Sequence, residues 1–361
     1  MRITTTLFVL HFATVQASAS DALRKELGAV AQGIAAAVKS LGHDSIAVGE
    51  FNGPRQFATG SGALIVKTLG DELGKNGLSV KESAQVEVKG EFDDVKDKQS
   101  GLLAARIKGS VADKSGKVLF TFARGVFGEN VLASLFGTTS KLAPDLPPPE
   151  RNAEIEKKLD SPSAFVKGSQ ISATADSPYV VEILAAPQSG ETYLPRSAAL
   201  QNGLAFVPLQ RGEVFGIKLI NRSSLDAAVT LTIDGLNLYE FSDLKDPKTG
   251  RPKFSVVLVP AGQEVFLRGW HRTHEASEEF VITEYAKSAS AQVKSTAPTG
   301  VVTAQFAAAW PKDAETPADE PSGNSRSADA VGRGVQFQQK FFEVERNIGV
   351  TRATVSVRYA K

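Results

Sequence analysis

The sequence predicts an α+β fold, in which a small α/β domain with a mixed sheet and covering helices precedes an antiparallel β-sandwich domain. Apolar residues follow a helical period only in segments before Asn76, and they alternate with polar residues in most later segments. The chain has 361 residues, which suits two domains of ordinary size. Its content of 42% hydrophobic and 22% charged residues is typical of chains that fold.

The composition excludes several classes of function. Lys and Arg number 41 against 40 Asp and Glu, so no net field favours nucleic acid as a partner. Cysteine is absent, which excludes disulfides, thiolate catalysis, cysteine-based metal sites and lipid attachment through an N-terminal cysteine.

The first 19 residues have the pattern of a signal peptide. Arg2 supplies the charge, residues 7–15 form the apolar region, and Ala17-Ser18-Ala19 is a small-x-small cleavage site. We expect export to the periplasm or the cell exterior, with a mature chain that begins at Ser20. No later apolar run has the length of a membrane span, so we expect no transmembrane segment in the mature chain.

Residues 20–140 alternate helices and strands. Leu23, Leu27, Val30, Ile34, Val38 and Leu41 form one stripe of a helix over residues 21–41, which packs on the protein's own sheet or on a helix of another subunit. A strand follows over residues 45–51, and then a helix over 63–76. Three alternating strands at residues 86–92, 103–111 and 118–122 complete a sheet with one buried face.

Residues 141–165 are rich in proline and charge, and predict an extended linker across which the two domains make few contacts. Residues 166–361 then predict a β-sandwich from eight short alternating runs. They lie at residues 180–184, 214–220, 227–233, 254–259, 265–267, 280–282, 301–306 and 354–359. Within this domain, residues 311–333 have the composition of a disordered loop.

Two histidines lie close together in the segment Trp270-His271-Arg272-Thr273-His274-Glu275. His271, His274 and Glu275 are the candidate ligands of a metal, since imidazole and carboxylate groups bind zinc. The spacing matches no known metalloenzyme signature. The alternative is a solvated turn that Trp270 anchors to the core.

A glycine-rich loop precedes the second helix, and Gly53, Gly60, Ser61 and Gly62 are the candidate residues for anion binding at that helix N-terminus. The phosphate-loop and dinucleotide patterns are both incomplete here. A GxSxG nucleophile motif is also absent from the sequence. The sequence therefore nominates no catalytic residue and no cofactor.

Short motifs in the first half resemble the periplasmic α/β domain of curli-secretion, flagellar outer-membrane and penicillin-binding-protein-activator lipoproteins. They are SIAVGEFNG at residues 45–53, IVKTLGDEL at 65–73, KGEF at 89–92 and VADKSGKV at 111–118. The resemblance implies an assembly or protein-contact domain without catalytic residues. The second half, with LTIDGLN at residues 231–237 and VSVRY at 355–359, resembles a β domain of uncharacterised exported bacterial proteins.

Together these patterns favour a non-enzymatic envelope protein that binds or assembles with a protein partner. The alternative function is a metal-dependent hydrolase that uses His271, His274 and a neighbouring glutamate. The oligomeric state is left open by the sequence.

Overall fold

A computed structural model describes residues 19–57, 62–282, 299–321, 326–333 and 341–360. The predicted fold class is confirmed, because helices and a mixed sheet are followed by two largely antiparallel sheets. The predicted signal peptide lies almost wholly outside the described residues. Within the described ranges, no helix combines the length and apolar character needed to cross a membrane.

The first five-stranded sheet has the order β2-β1-β3-β4-β5. Strands β2, β1 and β3 are parallel, whereas β3, β4 and β5 form an antiparallel meander. The elements are α1 (Ala19–Ser40), β1 (Ser45–Asn52), a 3-10 turn (Arg55–Phe57), α2 (Gly62–Lys75), β2 (Ser79–Val80), β3 (Val86–Lys96), β4 (Leu103–Asp113) and β5 (Val118–Phe127).

One apolar core joins α1 and α2 to a single face of this sheet. The predicted stripe of α1 is buried in that core from Leu23 to Val38, while Leu41 lies exposed beyond the helix end. Because the stripe packs on the protein's own sheet, it is not available as a seam for another subunit.

The segment after β5 forms α3 (Glu129–Phe136), β6 (Ser140–Lys141) and α4 (Pro148–Asp160). The prediction of an extended linker over residues 141–165 is wrong for α4, which begins with prolines at positions that need no N–H donor. Ile155 and Leu159 lie one helical turn apart and are buried in the core of the first sheet. This apolar pair explains why the charged segment forms a docked helix.

Two sheets follow, with the orders β18-β19-β13-β9-β8-β7 and β11-β12-β22-β20-β14-β16-β21. Four further short strands pair at their sides: β10 with β9, β17 with β13, β15 with β14, and β6 with β22. The strands are β7 (Phe165–Lys167), β8 (Gln170–Ser172), β9 (Tyr179–Ala186), β10 (Leu194–Pro195), β11 (Ala199–Gln201), β12 (Leu204–Val207), β13 (Val214–Asn221), β14 (Asp226–Ile233), β15 (Leu236–Asn237), β16 (Val257–Val259), β17 (Glu264–Leu267), β18 (Gly269–His271), β19 (Ser277–Val281), β20 (Thr299–Trp310), β21 (Arg326–Arg333) and β22 (Phe341–Ala360).

A second core lies between these two sheets. The stacked rings of Tyr179 and Phe306 join them, with centroids 5.0 Å apart. The rings of Phe215 and Tyr359 also meet across the core, tilted and with centroids 5.7 Å apart. All eight predicted strands occur, although the run at residues 254–259 is a strand only from Val257. The prediction of disorder over residues 311–333 is wrong for Arg326–Arg333, which pairs with β22 as strand β21.

Helix α3 lies between the two cores. Residues Val131 to Phe136 are all buried, and a short helix that is buried all round must have partners on every side. One side packs in the core of the first sheet, and the other contacts β20 of the sandwich.

Two buried arginines, Arg358 of β22 and Arg151 of α4, link the two ends of α3 to strand β22. Arg358 is fully buried and donates to the carbonyl oxygens of Phe136 and Gly137 at the helix C-terminus, at 3.1 and 2.9 Å. At the other end, Arg151 forms a two-point ion pair with Glu129 and also donates to the carbonyl of Thr351 on β22. The negative end of a helix dipole favours a cation, which suits the position of Arg358.

The outward side of sandwich strands β20 and β22 is polar but buried. Thr303 and Ser356 are hydrogen-bonded to each other at 3.0 Å, and Ser356 donates to the carbonyl of Thr138. Gln305 donates to Ser134 of α3. These polar residues face the first domain instead of water, so we name this interface the interdomain seam.

Two ion pairs extend the contact between the halves. Lys67 of α2 pairs with Glu240, and Asp21 of α1 pairs with Arg251. The prediction of sparse contacts between the two domains is therefore wrong.

Candidate functional site

The histidine pair lies at the end of strand β18. His271 is fully buried, its Nδ1 lies 3.1 Å from the hydroxyl of Ser242, and its ring packs against Tyr239 at 4.9 Å between centroids. His274 is half-buried, with its ring centroid 6.3 Å from that of His271. Burial, and secondarily the neighbouring His274, lower the pKa of His271 to about 4. His271 is therefore neutral at pH 7.

The surroundings of this pair are aromatic. Phe254 contacts both imidazole rings, and Glu275 is exposed on the turn. Across the ranges that the structure describes, no three His, Asp or Glu side chains are grouped in a way that could hold a metal ion. Trp270 packs edge-on against Phe280 in the sandwich core, as expected for an anchor of the turn. The geometry thus favours a packing role for His271.

The glycine candidates near α2 have a packing explanation. A Cβ at Gly62 would overlap the carbonyl oxygen of Phe51, and a Cβ at Gly53 would lie 2.5 Å from the ring of Phe92. Both positions therefore exclude a side chain because β1, β3 and α2 approach closely. Gly60 and Ser61 lie outside the described residues.

Strand β5 forms an edge of the first sheet, and among the described residues it pairs only with β4. It is ten residues long, and its apolar end residues Val118 and Phe127 are 56% and 45% exposed. Edge strands are usually shielded by charge, proline or a bulge, because their unpaired N–H and C=O groups can bind another strand. The ten residues of β5 include one charge, Arg124, and no proline. The one shift of register in its pairing with β4 lies at its start, where Phe120 pairs with Val111 and Val118 with Ala112.

The sheet face opposite the helices lies directly beside this edge strand. Small residues of β5, namely Ala123 and Gly125, lie beside charged residues of β4 and β3 in two cross-strand rows. The rows are Glu91, Lys108 and Ala123, and Asp93, Arg106 and Gly125. Two hydrogen bonds from Arg106 lower the pKa of Asp93, so that carboxylate stays ionised.

A shallow groove of about 700 Å³ crosses the same face. Its lining includes Gly90, Gly109 and Phe122, together with Lys89, Ser110 and Thr121. The groove reaches β5, so the edge and the polar face form one continuous exposed surface. We call strand β5 together with this face the β5 surface.

The sequence contained a signal for the β5 surface that the motif analysis did not use. Between Asp113 and Glu129 the chain carries no acidic residue and only three basic ones, although the segment is rich in Val, Leu and Phe. A run of this kind is typical of a central strand. Its position at the edge depends on the sheet order, which alternation alone does not determine.

Comparison of the chain with models of protein families, with curated proteins and with solved structures gives no match.

Proposed function

We propose that the protein is an exported, non-enzymatic module of the cell envelope that contacts a protein partner through the β5 surface. The observation that carries the proposal is the ten-residue β5 edge with exposed Val118 and Phe127. A strand of a partner that pairs with β5 satisfies its outward N–H and C=O groups, and alternate side chains then supply specificity.

The interdomain seam supports this role. Because Arg151 and Arg358 fix α3 between the cores, the first sheet is held against a large β-sandwich. A rigid support reduces the entropy that is lost when a surface binds its partner. Export is the second part of the proposal, and it rests on the pattern of residues 1–19.

The main experiment is site-specific photo-cross-linking in cells of the source organism. The photoreactive amino acid benzoylphenylalanine replaces Ala123 on β5, or Lys248 in an exposed turn of the sandwich as the control position. We expect a discrete protein adduct at position 123 and none at 248. Mature protein from the same cells should begin at Ser20.

A pair of variants tests whether the edge itself makes the contact. Val118→Lys with Phe127→Lys places charge at both ends of β5 and should abolish the adduct at position 123. Leu194→Lys alters an apolar residue of the sandwich that is 63% exposed, and it should leave the adduct unchanged. An adduct that persists in the β5 double variant, or appears equally from both cross-linker positions, would refute the proposal.

A further inference from the structure

We infer that the partner segment bound by β5 is an extended, acidic strand of about eight to ten residues. This inference rests on the proposed function and specifies the chemistry of the partner. It follows from the charges at the edge, the sizes of the β5 side chains and the length of β5.

The charged side chains of residues 114–128 are all positive. Lys114 and Lys117 are exposed at the turn before β5, and Arg124 is exposed near its C-terminal end. Among the described residues, none of the three forms a salt bridge, and the guanidinium of Arg124 donates only to the adjacent carbonyl of Ala123. Of the nearest acidic residues in the chain, Asp113 accepts from Ser115 and attracts Lys117, and Glu129 pairs with Arg151, which leaves this edge with a net positive charge. Carboxylates of a partner are therefore the complementary groups.

The side chains of β5 leave room for a strand with large residues. On the open face, Thr121, Ala123 and Gly125 are small, so a neighbouring strand meets no bulky side chain there. At the end of this row the exposed ring of Phe127 offers an apolar contact. Large apolar residues that alternate with acidic ones suit both features.

A second copy of this chain is the other strand that β5 can accept. Self-pairing of β5 supplies no carboxylate, because residues 114–128 contain neither Asp nor Glu. It also brings six cations together at one interface, which weakens the pairing. The charges therefore favour a different protein.

The test uses three synthetic decapeptides that alternate valine with glutamate, threonine or lysine. Binding to the purified full chain is measured by fluorescence anisotropy at low ionic strength. We expect the glutamate peptide to bind about tenfold more tightly than the threonine peptide, and its advantage to decrease with added salt. The lysine peptide should bind most weakly.

Variants then assign the charge effect to the edge. Lys117→Glu with Arg124→Glu should invert the order of the glutamate and lysine peptides, whereas Lys248→Glu in the distant turn should not alter it. Equal affinity for the glutamate and threonine peptides would overturn the inference, as would the absence of binding by any peptide. Concentration-dependent dimerisation that is lost in the Val118→Lys, Phe127→Lys variant would also overturn it, in favour of a second copy. If the peptides bind equally well or not at all, cross-linking of a protein at position 123 would still support the proposed function.

Discussion

Replacement of Arg358 by methionine should separate the unfolding of the two cores. The guanidinium is fully buried, and its partners in the described structure are the carbonyl oxygens of Phe57, Phe136 and Gly137. Burial lowers its pKa to about 10, so Arg358 still carries its charge at pH 7. Arg358→Met fills a similar volume but removes every donor to those oxygens.

The expected loss can be estimated from these three contacts. A buried carbonyl that loses its donor costs about 1–3 kcal/mol, which gives about 3–9 kcal/mol in total. Removal of a buried charge without a carboxylate partner offsets several kcal/mol of this loss. We expect a net decrease of about 3 kcal/mol in the free energy of unfolding.

Two spectroscopic probes report the cores separately. Both tryptophans of the chain, Trp270 and Trp310, are buried in the sandwich half, so their fluorescence follows that domain. All four described α-helices lie before Ser161, so circular dichroism at 222 nm chiefly follows the first half. In urea, the wild-type protein should show coincident transitions for the two probes.

In Arg358→Met the dichroism transition should move to lower urea than the fluorescence transition. Arg346→Met is the matched control, since Arg346 lies on the same strand, is half-buried and pairs with Asp226 away from the seam. The two transitions of this variant should stay coincident, and its free energy of unfolding should change by less than about 1 kcal/mol. Separate transitions in the wild-type protein, or coincident ones in Arg358→Met, would show that the seam does not couple the cores.

Two further stability predictions follow from buried positions. Folding lowers the pKa of His271 to about 4, so as pH falls below about 6.5 this imidazole is protonated in the unfolded chain but not in the folded protein. The free energy of unfolding should therefore decrease by about 3 kcal/mol between pH 6.5 and 4. Urea unfolding at each pH measures this decrease, which should be lost in His271→Gln and retained in His43→Gln. An unchanged pH dependence in His271→Gln would show that the titration of His271 is not its cause. In α2, Gly62→Ala should destabilise the protein by about 1–3 kcal/mol because its Cβ meets the backbone oxygen of Phe51. Gly70→Ala in the same helix meets no atom within 4 Å and should be neutral or stabilising by up to about 1 kcal/mol in thermal unfolding; equal effects of the two substitutions would refute the packing argument.

Periodicity predicted the elements of this protein well. The stripe from Leu23 to Val38 identified α1 because its apolar residues recur at helical spacing. Alternation likewise predicted β3 and β4, each of which has one face on the helices. These are local properties of the chain, so one sequence suffices to read them.

The interdomain seam could not be predicted in this way. Ser356 and Arg358 alternate with the apolar residues of β22, and the pattern is typical of a strand with one face in water. In the structure α3 covers that face, so the polar residues are buried and hydrogen-bonded. The same composition is compatible with either environment, and only the tertiary arrangement distinguishes them.

The candidate sites show the same limit. His271 and His274 are close in sequence and in space, but the groups around them are aromatic residues from other strands. The exposure of β5 likewise depends on which strand ends the sheet. The sequence supplied residue types at these positions, and neighbours distant in the chain determine their chemistry.

Hydrogen–deuterium exchange over residues 118–127 tests most directly whether the β5 surface binds the partner. In the free protein, alternate amides of β5 point away from β4, so about half of them should exchange rapidly while β4 stays protected. Addition of the partner identified by cross-linking should protect that rapidly exchanging half. If the partner leaves exchange over residues 118–127 unchanged and protects another part of the chain, β5 is not the binding surface.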